Sequence, residues 1–136
     1  MLPRILAGLV GLLLASTAVT WIVDPTTAAL SLGMPLLDGI GRSSQIGDMS
    51  SFFIGGTTLC FLGAIRQQGH WLQAVALLLT LAAIFRTLAW AIHGAELAKI
   101  FIVAEIVMAA ILLFSAMQMN KTSAAEDSAV SPTPKN

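Results

Sequence analysis

Trp71-Leu-Gln-Ala-Val-Ala-Leu-Leu-Leu-Thr-Leu-Ala-Ala-Ile-Phe-Arg86-Thr-Leu-Ala-Trp90-Ala-Ile92 is an apolar run interrupted by a single cation. Its length matches the roughly 20 residues a helix needs to cross a bilayer. The apolar residues are continuous and lack the alternation of a barrel strand, so the run reads as a transmembrane helix. Arg86 is costly at that depth: about 2.5–3.5 kcal/mol on insertion scales, and more if it faces lipid unpaired. The chain must therefore supply an anion or a wet cavity. That requirement points to a polar site inside a membrane bundle, but it names neither a ligand nor a reaction.

Three further runs of similar length lie at 4–23, 47–65 and 100–119. Together they predict an all-α, four-span antiparallel transmembrane helix bundle over residues 1–119. Composition agrees. Of 136 residues, 57% are hydrophobic and 10% charged, where a soluble domain carries about 25% charged residues. Seven acids balance seven Lys and Arg, so no basic surface suggests a nucleic-acid partner. The single cysteine, Cys60, excludes an intrachain disulfide and a multi-cysteine metal site. Its apolar neighbours make it a packing residue.

The first run also has features of a signal peptide, with Arg4 as a short positive region and Ser16-Thr17-Ala18 as a cleavage-like site. Apolar character continues through Val19, Trp21, Ile22 and Val23, which favours a retained helix. Asp24-Pro25 then pairs an N-cap with a first-turn proline, predicting a short interfacial helix over 25–32. The connections at 66–70 and 93–99 are short, so the spans they join are antiparallel neighbours. From 120 to 136 Ser, Thr, Ala and Pro dominate, which reads as a disordered tail.

Arg4, Arg66, Lys121 and Lys135 fall on one face of this topology, against Arg42 and Lys99 on the other. The excess places both termini in the cytoplasm of a bacterium, with the chain a multi-pass protein of its inner membrane. Trp21 and Trp90 would then belong to the outer aromatic belt and Trp71 to the inner one.

On that topology the ionisable residues gather in the outer half. Arg86 and His93 are seven apart and share a helix face; Glu105 lies just over one turn into the fourth span; Asp48 opens the second; Glu96 sits in the loop beside His93. Asp48, Ser51, Phe52, Gly55 and Thr58 form a small, polar stripe suited to an inward face. If the faces converge, Arg86 meets Glu105 and also Asp48, and its fork can hold a carboxylate through two parallel hydrogen bonds. Such a pair is either interhelical glue or part of a ligand site, unless both side chains simply reach interfacial water. The candidate ligand-binding set is Arg86, Glu105, Asp48, His93 and Glu96.

Other chemistries fit less well. His93-Gly-Ala-Glu96 reverses the Glu-x-x-His order of di-iron bundles and occurs once, and His70 lies at the opposite face. Neither a metal nor a heme is expected, nor any other cofactor. Ser50 and Ser51 lack a nucleophile-elbow signature. Small-residue ladders at Ala7, Gly11, Ala15 and at Gly55, Gly56, Gly63 suit close packing within the bundle, or a homo-oligomer.

A span ending in Asp24-Pro25, a loop with Arg42, a second helix with Gly55-Gly56, and Arg86 late in the third before His93-Gly94 resemble the small four-helix bacterial membrane proteins of the domain of unknown function 4345 family. The likeness covers about residues 4–119. More distantly the chain is similar to DoxX-like families. Where an aromatic residue before a glycine pair is expected, this chain has Ser43-Ser-Gln-Ile-Gly47-Asp48. The nearer resemblance implies a fold and no catalytic residues. The more distant one implies partnership with redox or quinone-linked enzymes.

The expectation is thus a non-enzymatic protein of the lipid bilayer with an outward-facing polar site for a small ligand, a lipid headgroup or a membrane protein partner. Arg86 would anchor an anionic group, Glu105 and Asp48 would be its resting counter-ions, and His93 a pH-sensitive rim residue. The alternatives are an accessory subunit of a quinone-linked enzyme, or a small transporter or proton relay. A relay needs a polar path to both faces, and the inner half offers mainly Gln73 and Gln118.

Overall fold

The computed structural model describes residues 1–130. Its helices are α1 (Leu2–Val23), α2 (Pro25–Ser31), α3 (Gly39–Arg66), α4 (Gly69–His93) and α5 (Lys99–Val130). Among the described residues α1, α3, α4 and the Lys99–Thr122 part of α5 are long and apolar enough to cross a membrane. The fold is the four-span all-α bundle read from the sequence.

Each long helix runs antiparallel to its neighbours. Arg4 Nε near the start of α1 donates to Ala64 O near the end of α3 at 3.0 Å, and further along α1, Leu14 lies against Gly56. On α4 and α5, Gly69 lies against Ala116 and Asn120, while Arg86 reaches Glu105. The tight contacts are α1 on α3 and α4 on α5; α1 with α5 and α3 with α4 touch more sparsely. The bundle is two close pairs laid side by side. Small residues permit each close approach: a Cβ on Gly11 would lie 3.1 Å from Cys60 Cβ, and one on Gly69 would lie 2.6 Å from Ala116 O. These ladders act within the chain, whereas Gly55 meets nothing within 4 Å.

The central core holds Val10, Leu14, Cys60, Leu72, Val75, Leu79 and Leu112. α4 stops at Gly94, whose φ of 66° is the left-handed conformation that closes a helix end, with Ala95 N donating to Ala89 O at 3.3 Å.

Three boundaries or placements differ from the sequence reading. α3 begins at Gly39 rather than 47. The preceding loop is stapled to its first turns: Gln45 Oε1 accepts from Leu37 N at 2.9 Å, Gln45 Nε2 donates to Pro35 O at 3.1 Å, and Arg42 pairs with Asp38 at 2.7 Å. At 28 residues the helix is about 42 Å long, so it outruns a hydrocarbon core of about 30 Å. α5 stays helical through Val130, past the limit of 119 set for the last span, while the rest of the tail, 131–136, lies outside the described residues. Trp21 is no belt residue. It is 0% exposed and forms a second small core with Ala28 and Ala29 of α2, packed against Met49 and Phe53. α2 folds back over the end of α1 and shields it. Trp90 remains half-exposed, and Trp71 Nε1 donates to Gln68 Oε1 at 2.9 Å in the α3–α4 turn.

α2 starts as the sequence indicates. Asp24 Oδ1 accepts from Thr27 N at 3.1 Å and Oδ2 from Thr27 Oγ1 at 2.7 Å. The Thr27 hydroxyl, and then the Thr27 backbone N–H, hold the Asp24 carboxyl below its ordinary value of 3.8. A lowered native pKa means that the cap stabilises α2 above the unfolded value and loses that effect as pH falls through the folded one. Opening of α2, read from intrinsic-rate-corrected hydrogen exchange at 28–31, is therefore expected to increase below about pH 4 in the wild type. Asp24→Asn keeps a capping oxygen without a titrating group, so its opening should stay flat with pH. A wild-type profile as flat as that of the variant would contradict the role of the cap.

Candidate functional site

Glu105 lies six residues into α5 and Arg86 seven residues before the end of α4. The two therefore sit about 9 and 10 Å from the same end of an antiparallel pair, at matching depth. Arg86 Nε donates to Glu105 Oε1 at 2.9 Å. Phe101, one helical turn before Glu105, lies under the guanidinium with its ring centroid 5.1 Å from Cζ, a cation–π contact that shields one face of the cation.

The pairing is narrower than a two-bond fork. Among described residues, Arg86 uses Nε alone, and its Nη1 and Nη2 groups donate to no protein atom. The Arg86 side chain keeps 30% of its surface exposed. Glu105 is 8% exposed, and its Oε2 is buried without a hydrogen-bond partner. A buried carboxylate oxygen without a donor is costly. The pair is thus incompletely satisfied on both sides.

Both residues line a partly enclosed cavity of about 640 Å³ between the α1–α3 and α4–α5 pairs. Contact between those pairs is sparser than contact within each pair. Its wall is mainly apolar, built from Leu14, Met49, Phe52, Phe53, Leu79 and Met108, with Ser16, Thr17 and Asp48 adding polar atoms. The volume falls in the range of about 300–1,000 Å³ typical of small-molecule sites.

The remaining expected site residues divide. Asp48 lines the same cavity from α3 but forms no ion pair with Arg86 or any other described residue. It does not open its helix either, because α3 has already run nine residues from Gly39. His93 ends α4 and Glu96 sits in the following loop; both are exposed and neither lines the cavity. Arg42 is engaged locally, with Nε donating to Leu37 O at 2.8 Å in addition to its pair with Asp38. The apolar wall was missed in the sequence. Phe52 belongs to the stripe suited to an inward face, but nothing in the sequence marks Met49, Phe53, Phe101 or Met108 as lining a space rather than filling one.

Among the described residues no group of three or more His, Cys, Asp or Glu is placed to hold a metal ion. At the opposite end a smaller cavity of about 400 Å³ is lined by Arg4, Gln67, Gln118 and neighbours. Between the two lies the apolar core of Val10, Cys60, Leu72, Val75 and Leu112. Compared with family models, with curated proteins and with solved structures, the chain finds no match.

Proposed function

We propose that this is a non-enzymatic integral membrane protein that binds a small amphiphilic ligand or lipid in the cavity headed by Arg86 and Glu105. One observation carries the reading: a pair placed only to dock two helices would use its polar atoms on each other, whereas here Nη1 and Nη2 are left without protein partners beside a ligand-sized apolar cavity, and Glu105 Oε2 is buried without one. Arg86 is the anchoring donor, Glu105 its resting counter-ion, and Asp48 a second polar wall group; His93 and Glu96 stand outside. A transporter or proton relay is disfavoured by the apolar core that separates the two end cavities. Arg4, Arg66 and Lys121 gather at the end away from the cavity. That bias supports cytoplasmic termini in a bacterial inner membrane and a cavity facing the outer side.

A photoreactive residue at Met49, on the cavity wall, tests this against the same residue at Leu77, which is 59% exposed on the bundle surface. After irradiation in native membrane, the Met49 variant is expected to carry one dominant adduct mass, while the Leu77 variant carries the spread of bulk lipid. The same lipid distribution at both positions would defeat the proposal.

A further inference from the structure

Charge in the cavity does not favour an anion. Arg86 is already balanced by Glu105 at 2.9 Å. Asp48 adds a second carboxylate to the same wall, with no cation paired to it among the described residues. The lining therefore carries two acids against one base, in mainly apolar surroundings. Asp48 is itself exposed at the cavity edge, so it stays charged beside the opening; an anionic head would meet that carboxylate and would also give up its own hydration against the apolar wall. This reverses the expectation that Arg86 anchors an anionic group.

The free hydrogen-bonding capacity is mixed. Arg86 Nη1 and Nη2 require acceptors. Glu105 Oε2 is a buried acceptor without a donor, on a residue 92% buried. It is shielded in this conformation, but the last torsion of a glutamate is broad, so a modest rotation presents it to a donor in the cavity. Asp48 likewise accepts only. The complementary head therefore offers an oxygen acceptor next to a hydroxyl donor. The rest of the wall, including Leu14, Phe52, Phe53, Leu79 and Met108, asks for an apolar body.

From these complementarities we infer that the ligand is an amphiphile with an uncharged head, carrying a hydroxyl beside an ester- or carbonyl-type oxygen, on a single apolar chain. The inference rests on the binding reading above and specifies its ligand class. The carbonyl-type oxygen accepts from the Arg86 Nη groups, the hydroxyl donates to Glu105 or Asp48, and the chain lies against the aromatic and methionine wall.

Equilibrium binding of three labelled probes to the full chain in detergent at pH 8 tests it: monoolein (acceptor and donor, uncharged), oleate (anionic) and methyl oleate (acceptor without donor). The wild type is expected to bind monoolein about tenfold more tightly than either of the others, tenfold being the effect of about 1.4 kcal/mol. Asp48→Asn leaves the Arg86–Glu105 pair intact and removes the unbalanced charge. It should tighten oleate several-fold relative to monoolein, narrowing the preference for the uncharged head. Oleate matching or exceeding monoolein on the wild type would overturn the uncharged-head inference while sparing the binding site itself. Equal binding of methyl oleate would overturn the donor requirement. Saturable binding of none of the three would overturn both this inference and the binding reading beneath it.

Discussion

Glu105→Ala is expected to lower the unfolding free energy by about 2–3 kcal/mol. Removing one partner of a buried pair costs about 3–5 kcal/mol, because the other charge is left uncompensated. The Arg86 side chain retains 30% exposure, so solvent relieves part of that penalty, which sets the estimate below the fully buried range. The Phe101 ring under the guanidinium recovers a further part of it. The natural readout is Cys60, which is 0% exposed in the central core and reacts with a thiol dye only when the bundle opens. In a titration from mild detergent into SDS, dye reaction should come earlier for Glu105→Ala than for the wild type. Exchanging the charges, with Arg86→Glu and Glu105→Arg together, should recover most of the loss, since depth and antiparallel register are unchanged. A wild-type midpoint for Glu105→Ala would mean that solvent, not Glu105, shields the cation.

Gly69→Ala is the second large effect, at the other end of the same helix pair. An added Cβ would lie 2.6 Å from Ala116 O and 2.5 Å from Asn120 Oδ1. The asparagine side chain can turn away; the backbone carbonyl of α5 cannot. Relief requires α4 and α5 to separate, and overpacking of this kind costs about 1–3 kcal/mol. The same Cys60 assay reads it. Gly55→Ala is the matched control, because a Cβ there meets nothing within 4 Å, and it should leave the midpoint unchanged or slightly raised. Loss of stability in Gly55→Ala comparable to that in Gly69→Ala would show that an intermolecular contact, not the α4–α5 approach, governs these glycines.

The pairing of Arg86 with Glu105 was legible because it depends on depth and periodicity alone. An isolated cation in a span needs an anion at matching depth, and rise per residue places Glu105 there. The short 66–70 and 93–99 connections fixed which spans run side by side. What stayed hidden depends on contacts between distant segments. Trp21 read as a belt residue because a tryptophan near a span end commonly is one; that α2 folds back to bury it is visible only in three dimensions. The start of α3 was masked by Gly39 and Gly41, whose breaking tendency is overcome by Gln45 and Arg42 binding the loop carbonyls. The cavity arises from sparse contact between two tight pairs, and no helical stripe states how far apart two faces will sit. For the same reason the helix stripes bring Asp48 to Arg86, with which it forms no ion pair.

A double substitution, Arg86→Met with Glu105→Met, separates a ligand site from helix glue most directly. Replacing a buried pair by apolar residues of similar size is often neutral, so stability should stay within about 1 kcal/mol of the wild type. Native mass spectrometry of gently extracted protein should meanwhile show a retained amphiphile on the wild type and none on the double variant. A double variant as unstable as Glu105→Ala, still carrying the same bound mass as the wild type, would contradict a ligand role for the Arg86–Glu105 pair.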